Sequence, residues 1–235
     1  MKKTIFLLIG LSLVFILNNG YCEAQSFGLY GAVALPQGDF GDDSGSDAGL
    51  AKTGFGGGME YCAPLGSPGL EWVLSGSLLL NKLDTDPLED ELGWWLDGGD
   101  VDAGSWMNIP LMGGIRYRTM ASPTVDFFAV GLAGLNVVKG PTIKYEASFW
   151  DDWEYEYVHV EIEQTLDPAT SFGMGIGAGI IVNKKLSIAF RYLNLGEPEI
   201  KGDIEADVEY EEYFDWDVEF DQPISMLLLT VGVTF

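Results

Sequence analysis

The chain has 235 residues and carries 36 Asp and Glu against 12 Lys and Arg, a formal net charge of −24. This excess of negative charge is repelled by phosphate, which argues against nucleic-acid binding. Because 47% of the residues are hydrophobic and 13% are aromatic, the composition also excludes an acidic disordered chain. Two cysteines and one histidine do not suffice for a disulfide framework, a four-ligand zinc site or a histidine-rich metal site.

The first 24 residues have the pattern of a secretory signal peptide. Lys2 and Lys3 precede the mostly apolar run TIFLLIGLSLVFIL, and the small residues Cys22 and Ala24 mark cleavage after Ala24. The alternative is an uncleaved membrane anchor, for which the run is short, because a spanning helix needs about 20 apolar residues. The sequence therefore predicts a signal peptide over residues 1–24 and one domain over residues 25–235, with no transmembrane helix.

Eight segments of the mature chain alternate with a period of two, which is the pattern of β-strands. In SFGMGIGAGII, for example, apolar residues from Phe172 to Ile180 alternate with glycines. Each segment is long enough for a tilted strand to cross a bilayer, which takes about 9–11 residues. The predicted strands cover residues 25–35, 51–62, 70–81, 105–117, 125–138, 169–182, 186–195 and 222–235.

The alternation is inverted relative to that of a soluble protein. One face of these segments is large and apolar, and the other is small, polar or charged. A small barrel has little interior room, so the small face points inward and the large apolar face points outward into a membrane. The rival interpretation is a soluble lipocalin-like barrel with an apolar interior, which would leave the glycine face in water.

The predicted connections alternate in length, with short turns at one end of the barrel and long loops at the other. The long loops hold nearly all of the carboxylates and are predicted to lie outside the cell. Two hairpins are expected within them, one over residues 199–221 and one turning at Asp151 and Asp152, packed face to face as a cap. The long loops cover residues 36–50, 82–104, 139–168 and 196–221.

Charged residues on the inward faces of the strands predict a lumen charge network, to which Asp126 is a candidate addition. One interpretation is a charged constriction that selects ions, and the other is a salt-bridge plug. Eight strands leave an interior filled by side chains, which favours the plug. The predicted network comprises Lys52, Glu60, Glu71, Arg116 and Arg191.

Two further features concern the strands themselves. Pro110 lies inside a predicted strand, and because proline lacks an N–H, we expect a β-bulge there. Aromatic residues near the strand ends suit the interfacial girdles of a membrane barrel. These residues are Tyr61, Trp72, Trp106, Tyr117, Tyr192 and Phe235.

The whole mature chain resembles the OmpA/OmpX-type eight-stranded outer-membrane β-barrel proteins of Gram-negative bacteria. The resemblance implies an eight-stranded antiparallel transmembrane β-barrel in the cell outer membrane, in contact with outer-membrane lipid and lipopolysaccharide. It also implies that Val233 and Phe235 belong to the terminal signal read by the barrel-assembly machinery and periplasmic chaperones. It is carried by GLYGAVALPQGDFG, TGFGGGMEY, NIPLMGGIRYR, GMGIGAGIIVNKKLSIAFRYLNLGEP and the terminal Phe235.

This resemblance specifies a fold and leaves the activity open. We predict a non-enzymatic surface protein that serves membrane structure, adhesion or partner binding through its acidic loops, without a cofactor. The alternative is a narrow cation-preferring channel. Catalysis is disfavoured because His159, the single histidine, has no nucleophile paired with it in the sequence. Candidate contact anchors in the loops are Trp94, Trp95, Trp150, Trp153 and Trp216.

Two acidic stretches, DTDPLEDE and DGGDVDAG, offer clustered oxygen ligands for a weak calcium site. Neither stretch has the full spacing of an EF-hand loop, and a solvated acidic loop is the competing interpretation. The candidate ligands are Asp84, Asp86, Glu89, Asp90, Asp97, Asp100 and Asp102.

Overall fold

The computed structural model describes residues 25–45, 48–92, 100–151, 156–208 and 214–235, so the predicted signal peptide lies outside the described residues. A 3-10 turn (Gly38–Phe40) follows the first strand, and one short helix, α1 (Asp86–Leu92), follows the third. No helix in this described part is long and apolar enough to cross a membrane. The strands are β1 (Ser26–Gln37), β2 (Gly54–Pro64), β3 (Leu70–Lys82), β4 (Asp100–Ala103), β5 (Ser105–Ser122), β6 (Val125–Lys139), β7 (Ile143–Asp151), β8 (Glu156–Leu166), β9 (Ala169–Val182), β10 (Leu186–Asn194), β11 (Glu199–Val208), β12 (Phe214–Asp221) and β13 (Ser225–Thr234).

Eight of these strands form a closed antiparallel barrel in the order β1-β13-β10-β9-β6-β5-β3-β2. The first and last strands close it, with Gly28 in register with Thr234. Beyond the ladder, the N–H of Phe235 donates to the carbonyl of Phe27 at 2.8 Å. The predicted eight-stranded barrel is therefore confirmed. The short turns and the two described termini lie at one end, the turn end, and the long connections lie at the other, the sheet end.

The outer surface of the barrel carries the large apolar side chains. Phe55, Ile176 and Leu135 are 67%, 68% and 58% exposed, whereas the inward residues between them on the same strands are small or buried. A soluble barrel would bury such residues, so the outward apolar belt is that of a transmembrane barrel. The predicted inversion of the alternation is confirmed.

Strand β6 departs from this rule, and its neighbour β9 explains why. On β6 the large residues Phe128 and Val130 point inward and are buried, while Gly131 points outward. Their register partners on β9 are Gly179 and Gly177. A Cβ at Gly179 would lie within 3.0 Å of the Phe128 ring. Glycine on β9 thus provides the space that the β6 side chains fill.

The remaining strands form a five-stranded sheet in the order β12-β11-β8-β7-β4 at the sheet end. Both predicted hairpins exist, as β7–β8 and β11–β12. The prediction that they pack face to face is wrong, because β8 and β11 pair edge to edge, with Asp207 opposite Glu161. Edge pairing satisfies the backbone groups of both inner strands, which face-to-face packing would leave open.

The expected bulge at Pro110 is also wrong. The offset between β3 and β5 is the same on both sides of this residue, with Gly76 opposite Leu111 and Leu79 opposite Asn108. A proline removes one donor from the ladder but does not by itself require an extra residue in the strand. The register shift in β5 lies instead between Met120 and Ser122, against β6.

Candidate functional site: a closed lumen and an acidic sheet

Four of the predicted lumen residues meet in one ion-pair network across the barrel. Arg116 Nε contacts Glu71 Oε2 at 2.6 Å, and its Nη1 contacts Glu60 Oε1 at 2.9 Å. Arg191 Nη2 contacts the other oxygen of Glu60 at 2.5 Å. These residues stand on β2, β3, β5 and β10, and each is at most 8% exposed. The network therefore ties four strands together through the middle of the lumen.

The network continues toward the turn end and rests on aromatic rings. Arg118 Nη2 contacts Glu71 Oε1 at 3.3 Å and its Nε lies 4.0 Å from Asp126 Oδ2, which brings Asp126 to the network edge. The guanidinium of Arg116 lies 5.4 Å from the ring centre of Phe128, and that of Arg191 lies 5.2 Å from that of Tyr30. Such cation–π contacts favour the charged arginines in a desolvated site.

Lys52 is not part of this network, so its assignment to the lumen is corrected. Strand β2 begins at Gly54, so the inward–outward alternation does not extend to residue 52. The Lys52 side chain is 48% exposed and contacts Asp84 at 2.7 Å and Asp86 at 3.7 Å at the sheet end. Its hydrogen bond to Asp84 raises the pKa of Lys52 above the ordinary value.

Little open space remains beside the ion pairs. A cavity of about 10 Å³ lies next to Arg191, lined also by Tyr30, Ser75 and Ser77. This volume accommodates about one water molecule. The Tyr30 hydroxyl and the Ser75 hydroxyl lie 3.2 Å apart and hydrogen-bond across this region. The middle of the lumen is thus filled by side chains.

The mouth at the sheet end has its own seal. Phe40, in the 3-10 turn, is fully buried and packs edge-on against Trp106, with the ring centres 5.7 Å apart. Trp106 Nε1 donates to the carbonyl of Gly49 at 2.9 Å, which fixes the first long connection over the mouth. Phe40 and Trp106 therefore form an apolar seal at the mouth, and the assignment of Trp106 to the outward aromatic girdle is wrong.

Three asparagines on inward positions are not among the residues of the lumen network that the sequence predicts. Asn81, Asn108 and Asn136 are fully buried. Asn136 Nδ2 donates to Asn108 Oδ1 at 2.9 Å, and Asn81 Nδ2 donates to the carbonyl of Lys52 at 2.9 Å. The signal was present, because each asparagine holds an inward position in the alternation of its strand.

One face of the five-stranded sheet is a grid of carboxylates. In register across the strands lie Asp203 opposite Asp217, Glu205 opposite Asp215, and Asp207 opposite Glu161. Like charges directly opposite each other destabilise a sheet. Two lysines on this face offset part of the charge. Lys144 contacts Glu163 at 2.9 Å, while Lys201 contacts Glu199 at 2.7 Å and Glu219 at 3.2 Å.

The pKa values of two residues on this face reflect the high density of carboxylates. Asp203 is exposed, but partial desolvation by its neighbours raises its pKa, and the charges of Asp215 and Asp217 raise it further. The pKa of Lys201 is raised by its hydrogen bonds to Glu199 and Glu219. The carboxylates near Asp203 thus lack counter-charges, whereas Glu199 and Glu219 have one in Lys201.

The opposite face of the sheet is apolar. Ile200 is fully buried and Leu166 is 3% exposed, both near the barrel mouth. Phe214 and Trp216, on the outermost strand β12, are each 47% exposed. Of the five candidate tryptophan anchors, only Trp216 has a described side chain. Trp94, Trp95 and Trp153 lie outside the described residues, as does the side chain of Trp150.

The candidate calcium ligands are spread over three segments. Asp84 accepts a hydrogen bond from the N–H of Asp86 at 3.1 Å, and both carboxylates contact Lys52. Glu89 and Asp90 lie on α1, and Asp102 lies on β4. Asp97 and the side chain of Asp100 lie outside the described part of the chain. Within the described ranges, no group of three or more His, Cys, Asp or Glu is arranged to hold a metal ion. A calcium site stays a prediction.

Of the remaining predicted residues, two lie at the turn end of the barrel and one lies in the five-stranded sheet. Val233 and Phe235 point outward at the turn end, 46% and 75% exposed, and their role in assembly stays a prediction. His159 lies on β8 in register with Ser148.

A closed eight-stranded barrel with an apolar outer belt and an ion-paired lumen defines the class of protein. It is a transmembrane β-barrel of eight antiparallel strands, which is the fold that the resemblance in the sequence implies. No family profile matches the chain, and no curated protein matches it.

Solved structures that resemble it include Neisserial surface protein A, at 11% identity and a TM-score of 0.43, covering 89% of this chain and 95% of that one. The N-terminal β-barrel domain of Pseudomonas aeruginosa OprF has 11% identity and a TM-score of 0.37, covering 89% and 97%. A major outer membrane protein from Thermus thermophilus has 12% identity and a TM-score of 0.46, covering 90% and 99%.

Proposed function

We propose that the chain is a non-enzymatic surface protein of the cell outer membrane. Its barrel is a closed anchor, and its acidic five-stranded sheet is the part that meets the surroundings. The buried network of Glu60, Glu71, Arg116 and Arg191 carries this proposal, because it fills the lumen that a channel would need open. The Phe40–Trp106 seal at the mouth supports it independently.

The location follows from the surface of the barrel. Large exposed side chains such as Phe55 and Ile176 would be costly in water, and a bilayer is the environment in which they are favourable. The sheet, by contrast, is dense in carboxylates and suits an aqueous surface. We assign the sheet end to the outside of the cell and the turn end to the periplasm. Outer-membrane lipid and lipopolysaccharide then surround the belt.

Conductance tests the closed lumen. The full mature chain, refolded and inserted in a planar bilayer, is expected to remain silent, with insertion confirmed by heat-modifiable gel mobility. An open porin in the same bilayer is the positive control. Steady cation-selective openings of this protein would overturn the closed-anchor proposal and establish the channel alternative.

Cysteine labelling in intact cells tests the orientation. Asp215→Cys places a thiol at the sheet end, and Lys185→Cys places one in an exposed turn at the turn end. A membrane-impermeant maleimide is expected to label only the first in intact cells and both after permeabilisation. The wild-type protein is the background control, because its Cys62 is buried. Labelling of Lys185→Cys alone in intact cells would reverse the orientation and contradict the proposal.

A further inference from the structure

The sheet has two edge strands, β4 and β12, of which β12 is the longer. Among the described residues, β12 (Phe214–Asp221) pairs with β11 and with no other strand. Every second residue of such a strand directs its N–H and C=O away from its neighbour. An exposed edge of this length is a template on which another extended chain can form main-chain hydrogen bonds.

The side chains of β12 divide cleanly between the two faces. Four carboxylates lie on the acidic face, and four apolar residues lie on the other. Phe214 and Trp216 are each 47% exposed, while Val218 and Phe220 pack partly against the core near the barrel mouth. A strand added beside β12 would therefore place alternate side chains next to carboxylates and next to aromatic rings. The four carboxylates are Asp215, Asp217, Glu219 and Asp221.

This pattern disfavours antiparallel pairing of β12 with the same strand of a second copy of the chain. Antiparallel pairing of two β12 edges would set acidic residues of one copy opposite acidic residues of the other. Like charges in directly opposed positions destabilise a sheet, and charged edge strands protect proteins from self-association. The acidic residues of β12 therefore disfavour pairing between two β12 edges.

A basic strand has the complementary pattern. We propose that the β12 edge is a docking site for an extended basic polypeptide segment in which Lys or Arg alternates with apolar residues. The backbone of the segment would pair with β12, its cations would face the four carboxylates, and its apolar side chains would lie beside Phe214 and Trp216. This inference rests on the proposed function only in taking the sheet to face the outside of the cell.

The charge on β11 strengthens the complementarity. Asp203 lies opposite Asp217, and Glu205 lies opposite Asp215, so the carboxylates of β12 have carboxylates on their inner side. Partial desolvation and the charges of Asp215 and Asp217 raise the pKa of Asp203. Lys201 forms ion pairs with Glu219 and Glu199 at one end of the β11–β12 pair. Cations arriving at the outer side of β12 would supply the counter-charges that the middle of the sheet lacks.

Binding of synthetic peptides to the full chain in lipid nanodiscs tests the proposal. The probe is a peptide as long as β12 with alternating Lys and Val. One control peptide has the same composition with the lysines and valines in two blocks, and another is N-methylated on every backbone amide, so that neither of its edges can donate. We expect fluorescence anisotropy to show saturable binding of the alternating peptide only, because the controls lose the face pattern or the main-chain donors.

Matched variants locate the site. The triple variant Asp215→Asn, Asp217→Asn, Glu219→Gln is expected to weaken binding about tenfold, since each cross-strand ion pair contributes modestly. The control variant removes the same charge from an exposed segment outside the sheet, and its affinity should be unchanged. It carries Asp39→Asn, Asp42→Asn and Asp43→Asn.

Three results would overturn the proposal. They are failure of the alternating peptide to bind, equal binding of the block or N-methylated peptide, and equal weakening by the two triple variants. The last two would indicate general attraction to a negative surface instead of strand addition. None of these results bears on conductance or cysteine labelling, so failure here is distinguishable from failure of the proposed function.

Discussion

The carboxylates of the barrel lumen are paired with cations, whereas many carboxylates of the five-stranded sheet face one another. In the lumen, each carboxylate oxygen of Glu60 and Glu71 contacts an arginine nitrogen. In the sheet, Asp203 and Asp217 face each other with no cation between them in the register. A buried charge without a partner would cost several kcal/mol, whereas water screens an exposed one. The lumen charges therefore bear on stability, and the sheet charges are free to serve recognition.

The largest expected effect comes from removing one lumen carboxylate. Glu60→Gln takes away the shared partner of Arg116 and Arg191, leaving buried positive charge uncompensated. We expect a loss of about 3–5 kcal/mol of unfolding free energy, measured by urea titration of the protein folded in lipid vesicles.

The matched control for that change lies in the sheet. Glu163→Gln breaks the contact with Lys144, whose side chain is 44% exposed. We expect no measurable change in unfolding free energy, because exposed ion pairs contribute little. Equal losses in the two variants would contradict the contrast between lumen and sheet.

A smaller effect tests steric fit in the lumen without changing charge. Gly179→Ala would bring a Cβ within 3.0 Å of the Ile188 carbonyl, Ala189 Cβ and the Phe128 ring. We expect a loss of about 1–3 kcal/mol in the same urea titration, since overpacking forces neighbours to shift.

Gly131→Ala is the control on the outer surface of the barrel. A Cβ there meets nothing within 4 Å, so the variant is expected to gain about 0.4–1 kcal/mol through a less flexible unfolded chain. Destabilisation by Gly131→Ala as large as that by Gly179→Ala would refute the interpretation that glycine on β9 makes room for β6.

The barrel was predictable because its inward and outward residues alternate over whole strands. The same alternation placed Glu60, Glu71, Arg116 and Arg191 in the lumen, and it failed for Lys52 because β2 starts only at Gly54. Arg118 was missed although it shares the inward parity of Arg116. The predicted strand ended at residue 117, while β5 continues to Ser122.

The order of the strands in the five-stranded sheet was harder to predict from the sequence. Local alternation indicated the hairpins β7–β8 and β11–β12, but the pairing of β8 with β11 joins residues far apart in the chain, such as Glu161 and Asp207. Hairpin patterns specify which face of a strand is apolar, and they do not specify which edge meets another hairpin. Strand β4, with only four residues, has too little pattern to be predicted.

The smallest expected effect concerns the pH dependence of the sheet. Because the folded-state pKa of Asp203 is raised above the ordinary value of 3.8, the folded sheet favours the protonated carboxyl. Its ionisation therefore destabilises the β11–β12 pair, so stability is highest below the ordinary pKa and falls as pH rises through the folded-state pKa.

Asp203→Asn is expected to increase hydrogen-exchange protection of β11 and β12 at neutral pH and to have no effect in acid. Comparing variant and wild type at each pH cancels the intrinsic exchange rates, and Asp42→Asn, outside the sheet, should change neither. Equal protection of wild type and Asp203→Asn at neutral pH would show that the facing carboxylates do not strain the sheet.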